Sequence, residues 1–288
     1  MTGELAIVAP AKLNLGLEVV GRRPDGLHEL VSIMVNVDLA DDVRITTQPG
    51  LELTGPYAGD APADPGQELA SRALRALQAR SSTVPEHGLS IVKRIPVGAG
   101  LGGGSADAAA VLRAGSALGV DLAATDLLAI ALELGADVPF QLQGGAALVR
   151  GVGEQLETLP VPELWAAVVF PGIAVSTAAV FAELKESEWG TGKMIEAAAR
   201  FLADGGGAGA LARLPNSLMA PALRLHPGLA EHVAALRQKG WDPHLTGTGS
   251  ALYQVCFDRS EAESLAVRTW DMGLRAWAVR AIALPGGP

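Results

Sequence analysis

A short apolar run at Glu4–Val8 and an alternating apolar pattern at Leu13–Val20 predict two short strands flanking Pro10-Ala11-Lys12. A turn-rich loop, residues 21–29, leads to a further strand at Leu30–Asp38, and Val43–Thr47 with Leu51–Leu53 reads as a small hairpin. Residues 54–67 are rich in Gly, Pro and Asp and predict a surface loop. Helical spacing begins at Glu68–Ala79, where Leu69, Ala73, Leu74 and Leu77 fall on one side. Leu89–Ile95 is predicted as a strand, Ala106–Leu118 as a helix capped by Ser105, and Thr125–Leu134 as a helix ended by Gly135. Residues 135–154 read as loop and strand, and a domain boundary is expected around Gly153–Pro162, dividing the chain into 1–155 and 156–288.

In the second part, Lys193–Leu202 and Gly228–Lys239 have helical spacing, and residues 204–210 read as a flexible linker. Ser260 and Glu263 form a capping box for a helix running to about Met272, and Leu274–Ala283 reads as a closing strand. Leu164–Ala182 carries no charge over 19 residues. Pro171-Gly172 interrupts it, so two buried strands, or a strand and a loop, are expected rather than a membrane span. Strand clusters mixed with paired helices in this way define an α+β protein.

One stretch stands out chemically. IPVGAGLGGGSADAAA, residues 95–110, places Gly98, Gly100, Gly102, Gly103 and Gly104 within seven residues ahead of a helix. Glycine costs backbone entropy, so such a cluster implies close approach of the main chain to something bulky. Free N–H groups and the positive helix terminus make this a site for phosphate. A Walker loop requires a lysine after the last glycine, and none is present. Gly98, Gly100 and Gly103 satisfy a dinucleotide fingerprint with Asp121 at a suitable distance, yet the residues around Asp121 read as helices, not as the end of a strand.

Composition narrows the partners. The 288 residues carry a formal charge of −9, with an estimated pI of about 5.1, and have no basic run, which argues against a nucleic-acid surface. Hydrophobic content of 49% is enough for a sizeable core. A single cysteine, Cys256, excludes an internal disulfide framework and fits a reducing cytoplasm. The N-terminal residues show no signal-peptide pattern, and neither a membrane nor a nucleic-acid partner is expected.

The glycine loop, read as P-x-G-x-G-L-G-G-G-S, resembles the phosphate loop of the GHMP small-molecule kinases. Four more stretches extend the resemblance over most of the chain: PAKLNLGL (10–17), RPDGLHEL (23–30), GADVPF (135–140) and LTGTGSALY (245–253). The first three of these resemble the branch of that superfamily that acts on a cytidylyl-linked methylerythritol.

The resemblance implies a two-domain α+β fold, ribosomal-protein-like in its N-terminal domain and ferredoxin-like in its C-terminal one. It also implies ATP with Mg²⁺ and a small cytidyl-sugar-alcohol substrate, in a monomer or homodimer. Lys12 would be the active-site lysine and Asp137 the general base. Pro96, Val97, Gly98, Ala99, Gly100, Leu101, Gly102, Gly103, Gly104, Ser105 and Ala106 would hold ATP phosphates, with Lys93 on the adenine side and Ser105 a candidate for the metal. His28 and Phe181 would hold the cytosine, and Leu27 stands where relatives usually have a stacking tyrosine. Gly247 and Thr248 would face the phosphates across the cleft. Other GHMP substrates, such as mevalonate, homoserine or a sugar, and a non-catalytic nucleotide-binding module are the alternative readings.

Overall fold

The computed structural model describes residues 4–80 and 87–284. Its spine is one antiparallel pair, β1 (Leu5–Arg22) and β2 (His28–Thr46), in register from Leu5 opposite Ile45 to Arg22 opposite His28. The two short strands expected at the start are therefore one. Pro10 does not end the strand, because the ladder absorbs it in a register shift between Pro10 and Lys12, followed by others at Asn14/Gly16 and Val19/Gly21. Such bulges bend a strand and re-aim its side chains without terminating it. Two of them bracket Lys12 and Asn14.

The expected hairpin at 43–53 does not form. β3 (Leu51–Thr54) instead runs parallel to β4 (Gly88–Val92), which occupies the edge of β2 from Asp42 to Thr46. With that edge taken, β3 can add only to the far side of β4. Between them, α1 (Leu69–Gln78) starts on Glu68, whose carboxylate accepts from the N–H groups of Ala70 and Ser71. It buries Ala70, Ala73, Leu74 and Leu77.

α2 (Gly103–Arg113) is buried from Ala106 to Leu112, the run of small side chains letting it pack closely on its neighbours. It begins two residues before Ser105, so Gly102 stands at the cap and the serine lies in the first turn without capping. α3 (Ala124–Leu134) ends at Gly135 as expected, and α4 (Val138–Gln143) follows at once. β5 (Ala146–Gly151) and β6 (Gln155–Leu159) then complete a six-stranded sheet ordered β3-β4-β2-β5-β6, with β1 along the other side of β2.

The chain leaves this sheet after Leu159 and enters a second one at β7 (Trp165–Phe170). The division expected at 155/156 thus falls at the first residue of β6, which pairs with β5. The uncharged segment resolves into β7, the Pro171-Gly172 turn and α5 (Thr177–Glu183), and no helix among the described residues is long and apolar enough to cross a membrane. Helices α6 (Lys193–Ala203), α7 (Met219–Leu225) and α8 (Pro227–Gln238) come next, then β8 (His244–Leu245), β9 (Leu252–Cys256), α9 (Arg259–Val267) and β10 (Arg275–Arg280). α9 is capped by Asp258, two residues before the expected Ser260, and Glu261 reaches back to the Phe257 N–H. The antiparallel order β10-β7-β9-β8 is the β-α-β-β-α-β, ferredoxin-like arrangement with extra helices in its first connection.

One core joins the two sheets: Leu13, Leu15, Ile33 and Val35 pack in a single cluster with Ala166, Val168 and Tyr253. Polar ties reinforce it. The main chain of Leu17 bonds to both Pro215 and Ser217, and the Asn216 amide donates to the carbonyls of Leu245 (2.8 Å) and Gly247 (3.0 Å) while accepting from the Leu218 N–H (2.8 Å). Asn216→Ala removes all three bonds at once. We expect a loss of about 2–3 kcal/mol in unfolding free energy, read from the urea midpoint, since stranded buried polar groups cost about 1–3 kcal/mol.

Candidate active site

Three of the five glycines form a turn and the other two open α2: Gly98, Gly100 and Gly102 have φ of 67°, 76° and 70°. Two of these positions admit no other residue. A Cβ on Gly102 would lie 2.9 Å from Cγ of Lys12, and one on Gly100 would overlap the Thr246 carbonyl. The loop is therefore pressed between β1 and the second glycine turn, residues 246–250. The Lys12 N–H donates to the Leu101 carbonyl at 2.9 Å, and the Ala251 N–H to that of Ala99 at 3.0 Å. Thr246 Oγ1 accepts from the Asn14 N–H at 3.0 Å, stitching the second turn to β1.

Lys12 is only 3% exposed. Its ammonium donates to Asn14 Oδ1 at 2.5 Å and lies 3.4 Å from Asp137 Oδ2. Asn14 is oriented in turn by Ser32, whose hydroxyl accepts from the Asn14 amide at 2.9 Å and donates to the Gly16 carbonyl at 2.6 Å. Asp137 occupies the cap position of α4 but makes no capping bond, so its carboxylate stays free to face Lys12. Asn36 fixes α4 by donating to Gln141 Oε1 at 2.8 Å. The result is a buried cation held by one amide and one carboxylate, the latter still 32% exposed.

These groups open onto a cavity of about 780 Å³. Among the expected residues Lys12, Leu27, His28, Gly100, Ser105, Asp137, Phe181, Gly247 and Thr248 line it. His28 and Phe181 stack with ring centroids 5.3 Å apart and planes 27° apart. Burial, with the nearby Arg22 charge, holds the His28 pKa below its ordinary value. Leu27 stands at the rim, half exposed. Thr177 and Thr248 hydroxyls meet at 3.2 Å across the wall. Ala99, Leu101 and Ala106 point into the core and anchor the loop from behind, while Pro96, Val97, Gly98, Gly102, Gly103 and Gly104 shape the turn without lining the cavity. Among the described residues no group of three or more His, Cys, Asp or Glu side chains could hold a metal.

Lys93 is corrected. Its ammonium does not offer a free cation to an adenine: it is 3% exposed and sits 2.5 Å from both Asp41 Oδ2 and Asp107 Oδ2. Asp41 also accepts from the N–H groups of Arg94 (2.5 Å) and Ile95 (2.7 Å), so the cluster pins the chain where it leaves β4. Asp107, on α2, pins it beyond the glycines. Burial lifts the Asp107 pKa well above the carboxylate range, and its Oδ1 has no hydrogen-bond partner.

Sequence reasoning gave no role to Asn14, Ser32 or Asn216. Asn14 left a signal: Lys12 and Asn14 are polar at i and i+2 between the apolar Ala11, Leu13 and Leu15, hence on one face of a buried strand.

The sequence profile for the GHMP kinases N terminal domain matches residues 68–145. A crystal structure of homoserine kinase from Cytophaga hutchinsonii superposes with a TM-score of 0.70 at 19% identity, over 98% of this chain and 96% of that one. The fold is thus one shared with a homoserine kinase, and its first sheet and the helices on it carry the N-terminal domain of the GHMP kinases. Over 279 residues the chain is 40% identical to 4-diphosphocytidyl-2-C-methyl-D-erythritol kinase of Thermus thermophilus, covering 94% of each. It is 38% identical to the Geobacter sulfurreducens enzyme of the same name, over 97% of this chain and 98% of that one. A crystal structure of 4-(cytidine 5'-diphospho)-2C-methyl-D-erythritol kinase matches with a TM-score of 0.79 and 36% identity, over 96% and 99% of the two chains. The chain belongs to the 4-diphosphocytidyl-2-C-methyl-D-erythritol kinase family.

Lys93→Met leaves Asp41 and Asp107 buried without their cation. Breaking a buried ion pair from one side costs about 3–5 kcal/mol. A fall of that size in unfolding free energy is expected by chemical denaturation, and an unchanged midpoint would show the cluster to be energetically idle.

Proposed function

We propose that this protein transfers the γ-phosphoryl group of ATP to the 2-hydroxyl of 4-diphosphocytidyl-2-C-methyl-D-erythritol. The observation that carries the reading is the Lys12–Asp137 pair, 3.4 Å apart, on the wall of the cavity that also holds His28 and Phe181. Phosphoryl transfer asks mainly for positioning and charge stabilisation. Asp137 accepts the hydroxyl proton, the hydroxyl oxygen bonds to the γ-phosphorus, and the bond to the ADP oxygen breaks. Lys12 offsets the charge on the transferring group and keeps the Asp137 carboxylate turned toward it. The first turn of α2, whose N–H groups have no intrahelical acceptor, takes the ATP phosphates together with the glycine loop.

The oxygens on this wall include the Asp137 carboxylate and the hydroxyls of Ser105, Thr177 and Thr248. That set fits a Mg²⁺ ion carried largely by nucleotide phosphates and water. When bound, the ion neutralises phosphate charge. At the other end, a depressed pKa keeps His28 neutral at physiological pH, with one ring nitrogen donating and one accepting. Such an imidazole matches the mixed donor and acceptor edge of cytosine. A reducing cytoplasm is the compartment this reading takes.

The direct test is ATP consumption with Mg²⁺ and a panel holding the cytidyl compound, mevalonate, homoserine and galactose. Turnover with the cytidyl compound alone is expected, and turnover with another member only would overturn the substrate. Asp137→Asn should fold normally, keep its KM for ATP, and lose about 10²–10⁴-fold in kcat. A protonated His28 loses its acceptor, so KM for the cytidyl substrate should rise as pH falls through the His28 pKa, which lies below 6.5. KM for ATP should not follow, and His28→Gln should flatten the acid limb.

A further inference from the structure

No side-chain hydrogen bond among the described residues holds the His28 imidazole. Its plane is set by rings alone: Phe181 stacked at 5.3 Å, and Trp189 edge-on at 6.3 Å with planes 87° apart. Phe181 lines the cavity and can respond to whatever enters it. Trp189 does not line it, and its ring contact with a lining residue is to His28. Leu27, the neighbour of His28, is 52% exposed and supplies no ring.

The segment that carries Trp189 is tied at both ends. Arg224 of α7 bonds Glu183 Oε1 at 2.9 Å and Glu188 Oε2 at 3.0 Å. Beyond the tryptophan, the Gly190 N–H donates to the Val19 carbonyl at 2.8 Å and the Gly192 N–H to Glu18 Oε2 at 2.9 Å. Both of the latter acceptors lie on β1, whose partner β2 begins at His28. The indole is thus fastened to the same strand pair that presents the imidazole. Such an anchored edge-to-face contact has a preferred geometry as well as an attraction.

We propose that Trp189 is a positioning residue for the base end of the substrate. It fixes the plane of His28, and through it the affinity for the pyrimidine base, without entering the transfer step. The proposal rests on the reading of His28 as a base contact.

Steady-state kinetics and CDP binding test it together. Trp189→Leu should raise KM for the cytidyl substrate, and Kd for CDP, by about 3- to 10-fold, the worth of an edge-to-face ring pair. The kcat and the KM for ATP should move less than twofold, and Trp189→Phe should restore the wild-type KM. In a His28→Ala background, Trp189→Leu should have no further effect on CDP affinity. Binding of CDP should change the tryptophan emission of the wild-type protein, and Trp189→Phe should lose that change while still binding. Wild-type protein that does not bind CDP would overturn the base-site reading and the proposal with it. If the wild type binds CDP and Trp189→Leu binds it equally well, the proposal alone falls. Equal losses in kcat, KM for ATP and thermal stability would also sink it, because they mark a structural role.

Discussion

The arrangement depends on one constraint: a lysine ammonium buried beneath a backbone loop. With Lys12 at 3% exposure, its stem fills the space where a side chain on residue 102 would otherwise go. The turn above must then be glycine, its carbonyls must find donors on β1 and near the second turn, and that second turn must come close enough to close the rear. Asn14 enters for the same reason, since a buried cation needs a polar ligand that does not cancel its charge. The geometry of both glycine turns follows from the demand to seat one charge.

The two buried lysines show how surroundings decide what a buried charge can reach. Lys93 is held between two carboxylates at 1% exposure or less, leaving no route from its ammonium to the cavity. Lys12 has a neutral amide on one side and, on the other, a carboxylate still open to the cavity. Removing water strengthens the electrostatics in both places, but only the second leaves charge to act on an incoming group. Equal burial therefore leaves one charge closed off and the other facing the cavity.

Local pattern made much of this legible in the sequence. α1, α6 and α8 followed their periodicity within a residue or two, and α3 stopped at Gly135, where the backbone turns extended. What failed was decided at a distance. Pro10 read as a break because its bulge is stabilised by β2, and Leu51–Thr54 read as a hairpin arm because nothing local says that β4 takes the edge of β2. Lys93 read as an adenine-side contact since Asp41, an acid that claims it, is 52 residues away. The catalytic and base-site candidates came through motif resemblance, and Lys12, Asp137, His28 and Phe181 do line one cavity. Trp189 carried no motif and became visible only once α7 and β1 were seen to hold its loop.

The tie between Asn14 and Thr246 spans 232 residues of sequence. Closing so long a loop is entropically slow, and the contact gives nothing back until both ends are in place. The long β1–β2 pair and the phosphate loop are complete within the first half of the chain, whereas the turn that docks on that loop is synthesised near the end. During synthesis the glycine-loop end can therefore take shape well before the wall behind it. Order of assembly is written into the topology: a growing chain carries Lys12 and Asp137 long before residues 246–250 close the wall behind them.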